Sequence, residues 1–147
     1  MRLARLLTPF AVLASGCATT APPIASKATS ECFHVNTAVE TEIGYCEAVR
    51  VGNTLYVSGS VGNGEMPLAI KRAYATLQKT LQARGLSFKN VVKETVFATD
   101  LDAFIQNKEV RKQFYGDNTP AATWVQVSRL YQPTYVVEVE LTAVFPP

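Results

Sequence analysis

Histidine is nearly absent from this chain: His34 stands alone among 147 residues. A metal centre built from the usual nitrogen and sulfur donors needs several such ligands, so none is expected. One histidine on an N-terminal strand also gives no Ser–His–Asp pattern. An excess of one charge is missing as well. Lys and Arg number 14 against 12 Asp and Glu. Two of the basic residues, Arg2 and Arg5, and none of the acidic ones fall in the first sixteen, which leaves 12 against 12 beyond them. No basic stripe is left to neutralise phosphates, which argues against a nucleic-acid partner. Gly62-Asn63-Gly64 lacks both the spacing and the lysine of a phosphate loop. No cofactor is expected. Apolar content of 48% and charged content of 18% exclude a disordered chain and fit one globular domain.

A long apolar run is also lacking. Leu6 to Ala14 is too short to cross a bilayer. Preceded by Arg2 and Arg5 and followed by small residues, it reads as a secretory signal. The small residues Ala14-Ser15-Gly16 ending in Cys17 resemble a bacterial lipobox, with Ala14 where leucine is commoner. The resemblance implies cleavage before Cys17 and a lipid on its sulfur; the alternative is an ordinary secreted protein cut nearby. The expected organisation is a signal peptide over 1–16, a flexible Ala/Thr/Ser/Pro-rich tether over 17–30 and a globular domain over 31–147. The domain is expected to be lipid-anchored to a bacterial membrane and to face the periplasm.

Cysteine is scarce. Once Cys17 carries lipid, Cys32 and Cys46 remain. Exported domains sit in an oxidising compartment, where two cysteines pair more often than not. Their bridge would close a loop of about fifteen residues, worth roughly 3 kcal/mol in the chain-entropy picture. The alternative is two buried free thiols.

Along the domain, Cys32 to Asn36 suits a short strand, and Leu55 to Ser58 a buried one, after a turn at Val51 to Thr54. Ser60 to Glu65 is read as a short loop. Pro67 to Arg84 is the clearest helix, with proline at its start, Gly85 past its end, and Ile70, Tyr74, Leu77 and Leu81 as one apolar stripe. Asn90 to Asp100 reads as a strand. A second helix spans Ala103 to Tyr115, capped by Asp102, with Phe104, Val110 and Phe114 inward. Two strands close the chain, one within Thr119 to Leu130 and one over Thr134 to Phe145, and they suit a hairpin. In the first, Ala122, Trp124 and Gln126 alternate with Thr123, Val125 and Val127. Helices on one face of a mixed sheet make an α+β domain.

Pro120-Ala121-Ala122-Thr123-Trp124-Val125-Gln126-Val127-Ser128-Arg129-Leu130, followed by Val137-Glu138-Val139-Glu140-Leu141, resembles the P-A-R-S-x-V-x-V-A-R-L and V-E-I-E-A text of the RidA (YjgF) family. Val49 to Gly59 and Val91 to Asp100 resemble it too; there the family reads close to D-V-V-K-T-T-V-F-L-T-D, against Asn90 to Asp100 here. The resemblance covers about Phe33 to Val144. It implies a RidA-like, chorismate mutase-like fold, a homotrimer, and ligand sites in the clefts between subunits. The best-known members deaminate reactive enamines and imines.

Carried over position by position, Tyr45 lies at the pocket edge, Ser58-Gly59 line the pocket with backbone amides, and Glu138 orients a catalytic water. Each has a plainer alternative: Tyr45 as a sheet-edge aromatic, Glu138 as a solvated carboxylate. The arginine that grips the substrate carboxylate is replaced by Ala122. Trp124 stands where the family often has a small residue; it either fills the old pocket or offers a stacking surface. Lys108 falls on a pocket asparagine and would be a poorer clamp than arginine, unless it is a solvated helix lysine. Arg111 falls on a tyrosine, and Arg129 reads as structural. The expected function is therefore a membrane-tethered module binding a small molecule at subunit interfaces without the usual imine deaminase activity. The alternatives are a deaminase or related hydrolase using Glu138 and water, and a structural or partner-binding lipoprotein.

Overall fold

The computed structural model describes residues 29–147. The expected signal peptide, Cys17 and nearly all of the expected tether lie outside the described residues. The remaining chain runs β1 (Ser30–Phe33), α1 (Thr37–Ile43), β2 (Ala48–Val51), β3 (Thr54–Asn63), α2 (Met66–Gln82), β4 (Val91–Ala98), α3 (Leu101–Gln106), α4 (Lys108–Tyr115), β5 (Ala121–Gln126) and β6 (Tyr135–Val144). The strands form one six-stranded sheet in the order β1-β2-β3-β6-β4-β5. All pairings are antiparallel except β4 with β5, which is parallel. The expected mixed α+β sheet is what forms.

One face of the sheet is dry. Leu55, Val57, Val96, Val139 and Ala143 are buried there against Ile70, Tyr74 and Leu77 of α2. This apolar stripe is the reason α2 forms where it does: each such side chain contributes roughly 1.5–3 kcal/mol on burial. The helix also sits very close to the sheet. A Cβ on Gly62 would lie 2.0 Å from the Ala69 carbonyl oxygen, so only glycine fits under α2 at that point. The other sheet face is polar and open. There Lys93 donates to Thr123 Oγ1, and Tyr56 is 52% exposed.

Several expectations are corrected. β5 and β6 do not form a hairpin: β4 lies between them and pairs with both. The long α3–α4 crossover permits the parallel β4–β5 pairing that a tight turn forbids. Ala122 and Trp124 thus lie beside β4, not beside Glu138 and Glu140. Ser60 to Asn63 continue β3 rather than starting a loop. The second helix breaks at Asn107 into α3 and α4, and its cap is Asp100, whose side chain accepts from the Ala103 N–H.

Helix α1 was not anticipated, because its signal lies in caps rather than in an apolar stripe. Its only buried residue is Glu40, while Val39 and Ile43 are exposed. Asn36 caps its start, and the Glu40 carboxylate accepts from the N–H groups of Val35, Asn36 and Glu47 at 3.0, 2.6 and 3.3 Å. Cys32 and Cys46 are joined in a disulfide with Cα atoms 5.6 Å apart, tying β1 to the segment after α1. Cys46 precedes β2, so the two are not cross-strand partners; Cys32 faces Val49 in that register.

Candidate functional site

Between Val57 and Ser60 the β3–β6 register shifts. There Ser58 binds the segment that leads from α1 into β2: its hydroxyl donates to the Cys46 carbonyl at 2.6 Å, and its N–H to the Glu47 carbonyl at 2.9 Å. Gly59 is left bare. A Cβ there would come within 2.0 Å of Glu138 Oε1, so the carboxylate lies directly over the glycine backbone. Glu138 alternates with the buried Val137 and Val139 and therefore points to the open sheet face.

Above Glu138 opens a cavity of about 410 Å³. Ser58, Gly59 and Glu138 make its base, Val39, Ile43 and Tyr45 one wall, and Tyr131 and Tyr135 the other. Burial, helped by the charge of nearby Glu140, raises the Glu138 pKa above that of an ordinary carboxyl. Burial also raises the Tyr45 pKa, aided by the charges of Glu40 and Glu47, so its phenol stays neutral. A carboxyl with raised proton affinity beside a neutral phenol can hold and orient a water or a polar ligand atom, or exchange a proton with it. The apolar walls suit a small organic molecule.

The sequence-derived site residues thus fall into two groups. Tyr45, Ser58, Gly59 and Glu138 meet in one cavity. Lys108, Ala122 and Trp124 do not line it: Lys108 and Ala122 are exposed on α4 and β5, and Trp124 turns toward α3, edge-on to Phe104 at 5.1 Å. The Trp124 indole N–H donates to Glu94 Oε1 at 3.0 Å. Cys32, His34 and Cys46 offer donor atoms within 4.8 Å of one another, but the two sulfurs are joined and supply no thiolate.

Glu94 was missed. It is fully buried, on the β4 position whose register partner is Ala122. Besides Trp124, it accepts from Tyr74 Oη at 2.6 Å, Tyr115 Oη at 2.7 Å and Arg111 Nε at 2.7 Å. Burial and the Glu94 charge push both tyrosine pKa values up. For Arg111, burial alone would lower the pKa, but the Glu94 charge outweighs it and the value rises. The guanidinium lies over the Tyr115 and Trp124 rings at 4.6 and 5.4 Å. The signal was in the alternation: Glu94 shares a face with Val96 and Ala98, a charge on a strand's buried side.

Comparison with known proteins identifies the family and the fold. The model of the family described as endoribonuclease L-PSP matches residues 35–145. The chain belongs to the RidA (YjgF, L-PSP) family. Among curated RidA relatives, a RutC family protein of Pyrococcus abyssi is 32% identical over 108 residues, covering 67% of this chain and 84% of that protein. The human 2-iminobutanoate/2-iminopropanoate deaminase is 33% identical over 109 residues, covering 68% of this chain and 79% of the relative. A solved YjgF/YER057c/UK114 structure from Mycobacterium tuberculosis superposes with a TM-score of 0.72 at 26% identity, covering 79% of this chain and 99% of that one. In the RidA pattern quoted above, the Glu94 position carries threonine, so the buried carboxylate is a departure of this chain.

Proposed function

We propose that this RidA-family domain binds a small molecule in the Tyr45–Glu138 cavity without the usual imine deaminase turnover. The domain works as a homotrimer, held at the periplasmic face of a membrane by lipid on Cys17. In a cyclic trimer each interface joins two different patches. The cavity of one subunit would then meet the β5–α4 edge of the next, which carries Ala122, Trp124 and Lys108. The observation that carries this reading is the cavity's lining: a carboxyl of raised proton affinity among aromatic and aliphatic walls, with no Lys or Arg among its residues. A 2-imino acid needs a cation for its carboxylate, and Ala122 supplies none.

One observation favours a second reading, hydrolysis of an imine or enamine through a Glu138-oriented water. Arg111 is bound through Nε to Glu94, the β4 residue paired with Ala122, and would serve as the missing carboxylate clamp better than Lys108. The test is release of ammonia and keto acid from imines made in situ by an amino-acid oxidase. Release at the buffer rate supports a binding module. Acceleration lost on both Glu138→Gln and Arg111→Met replaces it with the hydrolase. Metabolic labelling with an alkyne-bearing fatty acid, lost on Cys17→Ser, tests the tether.

A further inference from the structure

Away from the Glu138 cavity, one cluster joins a sulfur to a base. Cys32 lies on the edge strand β1 and is exposed, while Cys46 is half-buried. His34 Nε2 stands 3.2 Å from Cys32 Sγ. The other ring nitrogen, Nδ1, is 2.7 Å from Glu40 Oε2. Glu40 is only 2% exposed and is held ionised by its donors: burial alone would raise its pKa, but the N–H of Asn36 and the His34 ring, with two further N–H groups, lower it. A carboxylate on Nδ1 fixes the tautomer that presents the Nε2 lone pair to the sulfur. Glu47, next to Cys46, has its carboxylate engaged elsewhere, accepting from Thr80 Oγ1 at 2.8 Å. Glu40 also accepts N–H groups around α1, but a bridge that served only as a staple would not need the imidazole at its sulfur.

The geometry points to the Cys32–Cys46 pair as a thiol–disulfide exchange site, with Cys32 the reactive sulfur, His34 its base and Glu40 the positioning residue. Its co-reactant is a dithiol/disulfide pair. In the reduced state the Cys32 thiol gives its proton to His34 Nε2, and the thiolate attacks one sulfur of the co-reactant disulfide. A Cys32–sulfur bond forms, the co-reactant's S–S bond breaks, and the departing thiolate takes the proton from the imidazolium. The Cys46 thiolate, its proton lost to solvent, then attacks Cys32 Sγ. This closes the Cys32–Cys46 bond and releases the second co-reactant thiolate, which takes a proton from water. Two electrons pass from the domain's dithiol to the co-reactant's disulfide. Run backward, a dithiol reduces the domain.

The first measurement uses the full chain with Cys17→Ser and Cys46→Ser, so that Cys32 is the one thiol. Its alkylation by iodoacetamide is followed against pH. An inflection at least about one unit below the ordinary cysteine value of roughly 8.5 is expected, near tenfold more thiolate at neutral pH. Adding His34→Ala should return the inflection to the ordinary value, and Glu40→Gln should move it part of the way. The second measurement needs no cysteine variant: the bridge in the full chain is reduced with dithiothreitol at pH 7, and His34→Ala should slow the reaction about tenfold while the circular dichroism spectrum is retained. An ordinary inflection indifferent to His34, or equal reduction rates with and without it, overturns the proposal and leaves a plain structural bridge.

Discussion

Exchanging Glu94 for glutamine is the sharpest perturbation of this fold. The amide keeps the size and one acceptor oxygen but removes the charge that Tyr74, Tyr115, Trp124 and Arg111 converge on. Arg111, with its side chain only 11% exposed, would lose its counter-charge. Breaking one side of a buried pair costs about 3–5 kcal/mol; the partial exposure of Arg111 sets the expectation at the lower end, about 3 kcal/mol. At an m-value of roughly 1.5 kcal/mol per molar urea, the unfolding midpoint drops by about 2 M. Trp124 is the sole tryptophan and donates to this carboxylate, so its fluorescence follows both the local change and global unfolding. Arg111→Met alone should also destabilise, and the double variant should fall short of the summed losses by about 1–3 kcal/mol. A midpoint within about 0.3 M of wild type for Glu94→Gln, or strictly additive losses in the cycle, would refute the view that charge pairing holds α4 to β4.

Two further outcomes follow from the cavity side of the molecule. Gly59→Ala places a methyl where Glu138 Oε1 now lies, so the carboxylate must leave the cavity base; affinity for the cavity's ligand, read by calorimetry, should fall about tenfold or more, with the urea midpoint little changed because Gly59 is exposed. Glu40 carries a pKa below its ordinary 4.5 in the folded state, so its stabilisation is complete above that value and disappears as the pH falls through the folded-state value. Thermal melts from pH 6 to pH 2.5 should show wild type losing more stability than Glu40→Gln; parallel curves would contradict the assigned hydrogen bonds.

Much of the architecture was legible because its signals are local. The Ile70–Leu81 stripe marks α2, and alternation separates Trp124 from Thr123 and Val137 from Glu138. The quoted motifs contain Ser58, Gly59 and Glu138, and these meet Tyr45 in one cavity. What escaped depends on distance in sequence. The insertion of β4 between β5 and β6 is a long-range choice that neither strand's pattern encodes. Helix α1 owes its existence to Asn36, Glu40 and a covalent bridge, none of which gives a periodic signal. For Glu94 alternation marks only the buried face; the partners that make a carboxylate tolerable there, Tyr74, Arg111 and Tyr115, arrive from two separate helices.

Helix α1 places no apolar side chain in the core; Glu40 is its one buried residue, and the disulfide closes the segment from 32 to 46 at its base. Val39 and Ile43, which wall the cavity, are therefore free of the packing beneath and, on the proposed function, would answer to the ligand. This segment is an interchangeable cassette. Its outward residues can be rewritten to suit a different guest while Glu40, the bridge and the sheet stay as they are, so specificity can drift here without being filtered by folding.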